Sequence, residues 1–134
     1  MQIAKRDDWK TTPLPAASKQ IVVKRSYSQA EFSQITAGLI PVEMEDKWFI
    51  FYEAPWLYLH RSWTGFCIYK VCFETKGEQI IISDAFVNRE PAQYTGVDDR
   101  SDISMLEILL DGRAGRDTLN QLQDWIKNRA PKNS

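Results

Sequence analysis

KWFIFYE (residues 47–53), WLYLH (56–60), FCIYKVCFE (66–74) and QIIISDAFV (79–87) follow one another with only short breaks between them. Each run is rich in aromatic and β-branched residues, the types that fit a pleated, half-buried surface. The breaks, 54–55, 61–65 and 75–78, each hold a Pro or a Gly, which lets the chain reverse direction within a few positions. Four strands joined in this way predict an antiparallel meander. Because apolar residues occupy both faces of such a sheet, helices must cover at least one of them.

Helical patterns stand on both sides of the meander. Upstream, Ala30, Phe32, Ile35 and Leu39 recur near helical spacing, Ser28 and Glu31 have the form of a capping box, and Gly38 stands ready as a stop before Pro41. These signals predict a helix over 29–37. Downstream, Ser104 with Glu107 reads as a second capping box for a helix over 104–111, stopped by Gly112. Asp117 can cap a third helix over 117–129, and its Leu119, Leu122 and Ile126, at spacings of three and four, are expected to lie buried against the sheet. Ile21, Val22 and Val23 predict a short strand near 21–25. The expected fold class is therefore α+β: a four-stranded antiparallel meander with a short N-terminal strand, one helix before the meander and two after it. Residues 1–19, polar and broken by Pro13 and Pro15, read as an extended arm that adds little to the core. Residues 20–130 read as a single domain and 131–134 as a tail.

A chain of 134 residues suffices for one domain with a real core. Its 17 Lys and Arg against 18 Asp and Glu leave a net charge of -1, so no global positive field exists to hold a phosphate backbone, and nucleic acid is a disfavoured partner. Cys67 and Cys72, five apart in one strand, fall by the period of two on opposite faces, and they lack the spacing of a zinc motif. Two unpaired thiols fit a reducing compartment, and the expected location is the cytoplasm. No apolar run approaches the roughly 18 residues of a membrane span, and residues 1–18 hold no signal-like apolar segment, so no membrane association is expected. Neither a metal nor a cofactor is expected.

Two clusters carry candidate chemistry. The first is the hairpin His60, Arg61, Ser62, Trp63, Thr64 and Gly65, which gathers the single histidine, a guanidinium, two hydroxyls and an indole at one turn. Arg61 could fork onto an anion, Trp63 could stack on a planar ring and His60 could move a proton near neutral pH. Against that stands a purely structural use, in which Ser62 and Thr64 shape the turn and Trp63 closes the core. The second cluster is Arg113 and Arg116, between two helices and leading into the last one, where a helix start and two cations would suit an anion. It lacks the spacing of a phosphate-binding P-loop. Asp98, Asp99 and Asp102 read as a solvated helix entry rather than a cation loop, and Asp84, inside an apolar strand, must be paired, at an edge or functional.

The stretch from Lys47 to Tyr52, followed by Leu57 to Gly65, resembles a segment of small bacterial proteins, over about half of the chain. The resemblance implies no activity. No motif of an ADP-ribosyl hydrolase, macrodomain or transferase accompanies it. Two functional readings follow from the residues. One is a binding or protein-interaction module that uses an aromatic sheet surface and the hairpin toward a protein partner or a second copy of the chain. The other is a site for a small, nucleotide-like or other anionic ligand, with or without catalysis, around His60, Arg61 and Trp63.

Overall fold

The four central runs pair as antiparallel neighbours in chain order, which makes them the meander that their spacing predicts. The computed structural model describes residues 3–129. Its strands are β1 (Ser18–Ile21), β2 (Ser26–Tyr27), β3 (Trp48–Glu53), β4 (Trp56–Arg61), β5 (Cys67–Lys76) and β6 (Gln79–Asn88), and its helices are α1 (Gln29–Ala37), α2 (Asp99–Arg113) and α3 (Leu119–Arg129). The class is α+β, with one six-stranded antiparallel sheet in the order β1-β6-β5-β4-β3 and β2 also on β6. The predicted strand at 21–25 is displaced. Ser18 to Ile21 pair with Asn88 to Ala85, and Ser26 and Tyr27 pair with Ile81 and Ile80. Of the apolar run at 21–23 only Ile21 belongs to a strand, as the last residue of β1, while Val23 is buried between the strands; the rest of β1, Ser18 to Gln20, is polar and lies along an edge.

One face of the sheet carries the main core. Ile50, Leu57, Leu59, Tyr69, Val71, Ala85 and Val87 are buried there beneath Ile35 of α1 and Leu106 and Leu110 of α2. Helix α1 forms where the capping box predicts: Ser28 Oγ accepts the Glu31 amide at 3.1 Å, and Glu31 returns a carboxylate oxygen to the Ser28 amide at 3.0 Å. Its Phe32 packs edge-on against Tyr52 and Phe73. Gly38 ends the helix at φ +74°, and the next residue bridges to the outer edge of β3, with reciprocal Leu39 and Ile50 amide bonds of 2.9 and 3.0 Å. That edge strand is thereby partly covered.

Helix α2 starts five residues earlier than predicted. Asp98 caps it by accepting the Arg100 amide at 3.1 Å, and the expected box at Ser104 is interior to the helix. Its polar first turn hides a docking surface. Asp102 and Asp111 are both buried on α2, and each takes a hydroxyl from a tyrosine of the sheet layer, Tyr69 at 2.9 Å and Tyr27 at 2.7 Å. Arginines complete both clamps: Arg89 lies 2.7 Å from Asp102 and Arg25 3.2 Å from Asp111. A buried carboxylate is tolerable only with such partners.

Helix α3 corrects a further expectation. Leu119, Leu122 and Ile126 do not pack on the sheet; all three are exposed. The helix instead rests on α2 through its polar side, with Trp125 Nε1 donating to the Ser101 carbonyl at 3.0 Å and Gln121 donating to Asp111 at 3.1 Å. The sheet face was already filled by α1 and α2. The tail at 131–134 lies outside the described residues.

The second sheet face carries Phe49, Phe51, Tyr58 and His60, and residues 3–12 run across it. Ala4 is buried with Phe49 and Phe51, and Trp9 packs on Phe49 at a ring separation of 6.4 Å. The N-terminal segment therefore contributes to the core, because rings on both faces of β3 need a cover. Cys67 and Cys72 also depart from the simple alternation. An extra residue in β5 sets Cys67 opposite His60 and Cys72 opposite Trp56, which are alternate positions on one face of β4.

Candidate functional site

The β4–β5 turn is built by its backbone first. Gly65 N–H donates to the Arg61 carbonyl at 2.8 Å and Arg61 N–H to the Phe66 carbonyl at 2.9 Å. Thr64 Oγ1 accepts the Phe66 amide at 3.2 Å, an ordinary side-chain turn contact. Gly65 has φ +81°, and a side chain there would press on the Lys10 backbone at 3.1 Å, so the turn and the N-terminal segment fit together closely. Thr12 N–H donates to the Gly65 carbonyl at 2.7 Å, and Cys67 N–H donates to the Thr12 carbonyl at 3.2 Å.

The candidate residues of this turn point in three directions. His60 is buried on the second face, 5.5 Å from the Phe51 ring and stacked on it. Its Nδ1 lies 2.8 Å from the Gly65 carbonyl, which can only accept, so Nδ1 carries the proton. Nε2 meets no hydrogen-bonding partner among the described residues. Burial holds the imidazole pKa below its ordinary value, outweighing the Gly65 bond, and nearby Arg6 adds to the depression. Arg61, the next residue along the strand, projects to the helix face, where its guanidinium lies 4.5 Å over the Trp48 ring. Trp63 stands at the tip, 66% exposed. His60 and Arg61 thus occupy opposite faces of the sheet and share no cleft.

Arg113 and Arg116 are farther away still. Arg116 forks onto Glu31 at 2.7 and 3.0 Å, donates to the Ser26 carbonyl and covers the Tyr27 ring. This pairing pulls the Glu31 carboxyl down to about 2. Its β2 neighbours pair with the start of β6, whereas the hairpin sits at the other end of β5, eight strand residues or about 25 Å away. Arg113 leaves the last turn of α2, with its Nε buried and without a partner among the described residues. No anion cradle joins the two clusters.

What the turn does assemble is an apolar patch. Trp63 Nε1 donates to the Met44 carbonyl at 2.9 Å and so lays its ring along the 41–46 loop. Met44 and Val42 on that loop are 75% and 87% exposed. Trp9 approaches from the N-terminal side, its Nε1 donating to the Ser62 carbonyl at 2.7 Å. Between the two indoles lies a groove of about 470 Å³ lined also by Lys10, Pro41, Glu43 and Ser62. The loop is held in shape: Asp46 accepts the Val42 and Glu43 amides at 2.9 and 3.1 Å, which also lowers its carboxyl pKa, and Ser62 Oγ donates to the Asp46 carbonyl at 2.6 Å. Ser62 is thus a structural pin. Val42 and Met44, apolar residues in a Glu-rich loop, and Trp9, a lone ring in a charged N-terminal segment, did not stand out in the sequence, since both settings read as ordinary surface composition.

The remaining aromatic sheet surface is closed on itself. Lys70 Nζ lies 4.2 Å over Trp56, Trp56 packs on Phe86 at 6.1 Å, and Gln20 donates to Asp84 at 3.1 Å. Arg6 covers Phe51 and Tyr58 and pairs with Glu53 at 2.6 Å. Burial pushes the Cys67 thiol up to about 12, leaving it inert. No group of three or more potential metal ligands occurs among the described residues, and no helix among them is long and apolar enough to cross a membrane. No family model matches the chain, and neither a curated protein nor a solved structure does.

Proposed function

We propose that this chain is a protein-interaction module whose contact surface is the rim formed by Val42, Met44 and Trp63 with the groove toward Trp9. The observation that carries the reading is the fixed exposure of Trp63: its indole N–H is spent on Met44, while its ring stays in water beside two exposed aliphatic side chains. A tryptophan serving only the fold would be covered, and a contiguous exposed apolar rim on a held loop has the make-up of a binding surface. Both indole donors are already used internally, so the groove offers apolar contact and no free indole N–H. It suits an apolar side chain presented on an extended segment of a partner protein, oriented by Lys10 and Glu43 at the rim. Because the loop is held by Asp46 and Ser62, little ordering is required on binding.

The test is selection of a random displayed peptide library on the full chain, followed by amide and indole chemical-shift mapping with the enriched peptides. Shifts centred on Trp9, 41–44 and Trp63, with affinity reduced at least about tenfold in Trp63→Ala, support the proposal. Enriched peptides that bind elsewhere, or a Trp63→Ala variant that binds as well as the parent, overturn it.

A further inference from the structure

We propose that residues 3–12 form a pH-operated latch, in which protonation of His60 releases this segment from the second sheet face while the sheet and the helix layer stay folded. His60 is 1% exposed, and its ring is enclosed by Phe49, Phe51 and Tyr58. The Gly65 carbonyl that accepts from Nδ1 at 2.8 Å also accepts the Thr12 amide at 2.7 Å, so the imidazole and the end of the segment meet at one oxygen. The neutral ring is satisfied there. A second proton must go to Nε2, which is buried with no partner among the described residues.

The groups around the ring offer that proton nothing. From the segment comes Arg6, whose guanidinium lies 4.9 Å over Phe51 and 5.2 Å over Tyr58 and repels a second cation. Its partner Glu53, at the end of β3, is committed to it at 2.6 Å. From β5, opposite His60, comes Cys67, whose thiol is pushed up to about 12 and stays neutral, and Lys70 adds a further cation 5.7 Å from the Tyr58 ring. The other charges of the segment, Lys5, Asp7, Asp8 and Lys10, are exposed, and Asp8 is turned back onto the Lys5 amide at 2.8 Å. An imidazolium in this place is a buried charge without a counter-charge, and lifting the segment gives it water.

The segment is the part that can yield. It is held by the Ala4 amide on the Ala37 carbonyl at 2.8 Å, the Arg6–Glu53 pair, the Trp9 indole on the Ser62 carbonyl at 2.7 Å, and the bonds of Thr12 to Gly65 and Cys67. These contacts are separate from the strand ladders of the sheet, and the main core lies on the opposite face. Pro13 and Pro15 follow directly and have no amide to donate, which sets the boundary of the movable part. Opening bares Phe49, Phe51 and Tyr58 and withdraws Trp9 and Lys10 from the groove beside Trp63. The latch does not depend on what that groove binds.

With the segment lifted, the imidazole titrates near its ordinary value of about 6.5, so below that pH the open form binds more protons than the closed one, and its population grows by up to about tenfold per pH unit until the closed form also takes up the proton. Amide hydrogen exchange of the full chain at about pH 7.5 and about pH 5, corrected for the intrinsic pH dependence of exchange, tests this. Protection of the Ala4, Thr12 and Cys67 amides is expected to fall by about three- to thirtyfold and to stay at least about tenfold below that of the β5–β6 ladder at both pH values, the mark of an opening smaller than global unfolding. In His60→Gln, which cannot take up the proton, the fall is lost. Ala4→Asp, which forces a charge under the segment, gives the reciprocal reading: the His60 resonance titrates near about 6.5 with unchanged far-UV circular dichroism. Segment amides that keep their protection at the lower pH, or that are protected to the same level as the ladder, overturn the latch. So does a fall that persists in His60→Gln, or a His60 resonance that still titrates below its ordinary value in Ala4→Asp.

Discussion

Tyr69, near the start of β5, donates its hydroxyl to Asp102 on α2 at 2.9 Å, and this buried contact fixes where the helix sits on the sheet. Asp102 also accepts from Tyr94 and pairs with Arg89. Burial with the nearby carboxylate drives the Tyr69 hydroxyl well above its ordinary pKa, and the same causes push Tyr94 up to about 12. Both therefore remain donors at neutral pH. Tyr69→Phe should cost about 1 kcal/mol, since Asp102 keeps two partners, whereas Asp102→Ala should cost about 3 kcal/mol by stranding the buried Tyr69 hydroxyl and removing one of the two carboxylates that pair with Arg89. Urea unfolding at pH 7 measures both. Equal costs for the two variants would contradict the clamp.

Gly38→Ala probes the covered edge of β3. A Cβ at this position would lie 2.1 Å from the Ile50 carbonyl oxygen, and the φ of +74° is unfavourable for any side chain. Either the Leu39–Ile50 bridge opens or the end of α1 moves. The expected loss is about 3 kcal/mol or more, against roughly 1 kcal/mol or less at Gly77, where a Cβ meets open space and only the backbone conformation objects. Thermal unfolding of the two variants side by side decides the point.

The meander and α1 were legible in the sequence because each local signal agreed with the final packing: aromatic runs with Gly or Pro between them, and a complete capping box before Phe32 and Ile35. The first turn of α2 was not legible, since Asp99 and Asp102 look solvated until Lys19 and Tyr69 reach them from β1 and β5 and Arg89 and Tyr94 fold back from the preceding loop. The outward stripe of α3 was misassigned for a related reason. Periodicity shows that a helix has an apolar side, but which side docks depends on whether the sheet has room left. At the hairpin, the residue types were visible, while the assignment of His60, Arg61 and Trp63 to separate directions required the register of β4.

His60 links pH to stability in a defined window. Its folded pKa is depressed by burial and by Arg6, while the unfolded chain titrates near 6.5. Between the depressed folded value and 6.5 the unfolded state binds more protons, so stability should fall as pH drops below 6.5 and level off for this group below the folded pKa. As the chain has one histidine, a single imidazole resonance reports the folded value directly. Replacing His60 by Gln should flatten the slope of unfolding free energy between pH 5 and pH 6.5, values taken roughly from the unperturbed titration range. A folded resonance titrating above 6.5 would refute the assignment.

Leu122 and Trp125 should exchange the importance that periodicity assigns them. Leu122→Ala should cost about 1 kcal/mol, because its side chain is 37% exposed and belongs to neither core cluster. Trp125→Ala removes the indole bond to Ser101 and the half-buried ring on α2, and should cost about 2 kcal/mol. Chemical denaturation of the two variants gives the ranking, and a larger cost at Leu122 would mean that the helix docks by its other side.

Trp63 and Arg61 are neighbours on the hairpin but should respond differently to removal. Arg61 lies over Trp48, which is itself stacked on Tyr69, so Arg61→Ala should lose a cation–π contact worth about 0.5–2 kcal/mol. Trp63 contributes one exposed hydrogen bond and little burial, so Trp63→Ala should change stability by no more than about 1 kcal/mol. If the hairpin rim is the binding surface, the order reverses for affinity: Trp63→Ala should weaken a selected peptide at least about tenfold, and Arg61→Ala, whose guanidinium lies on the helix face, should leave it nearly unchanged. Thermal unfolding and peptide titration on the same two variants therefore separate folding from recognition. A large stability loss in Trp63→Ala without a distinct loss of affinity would return this tryptophan to a purely structural role.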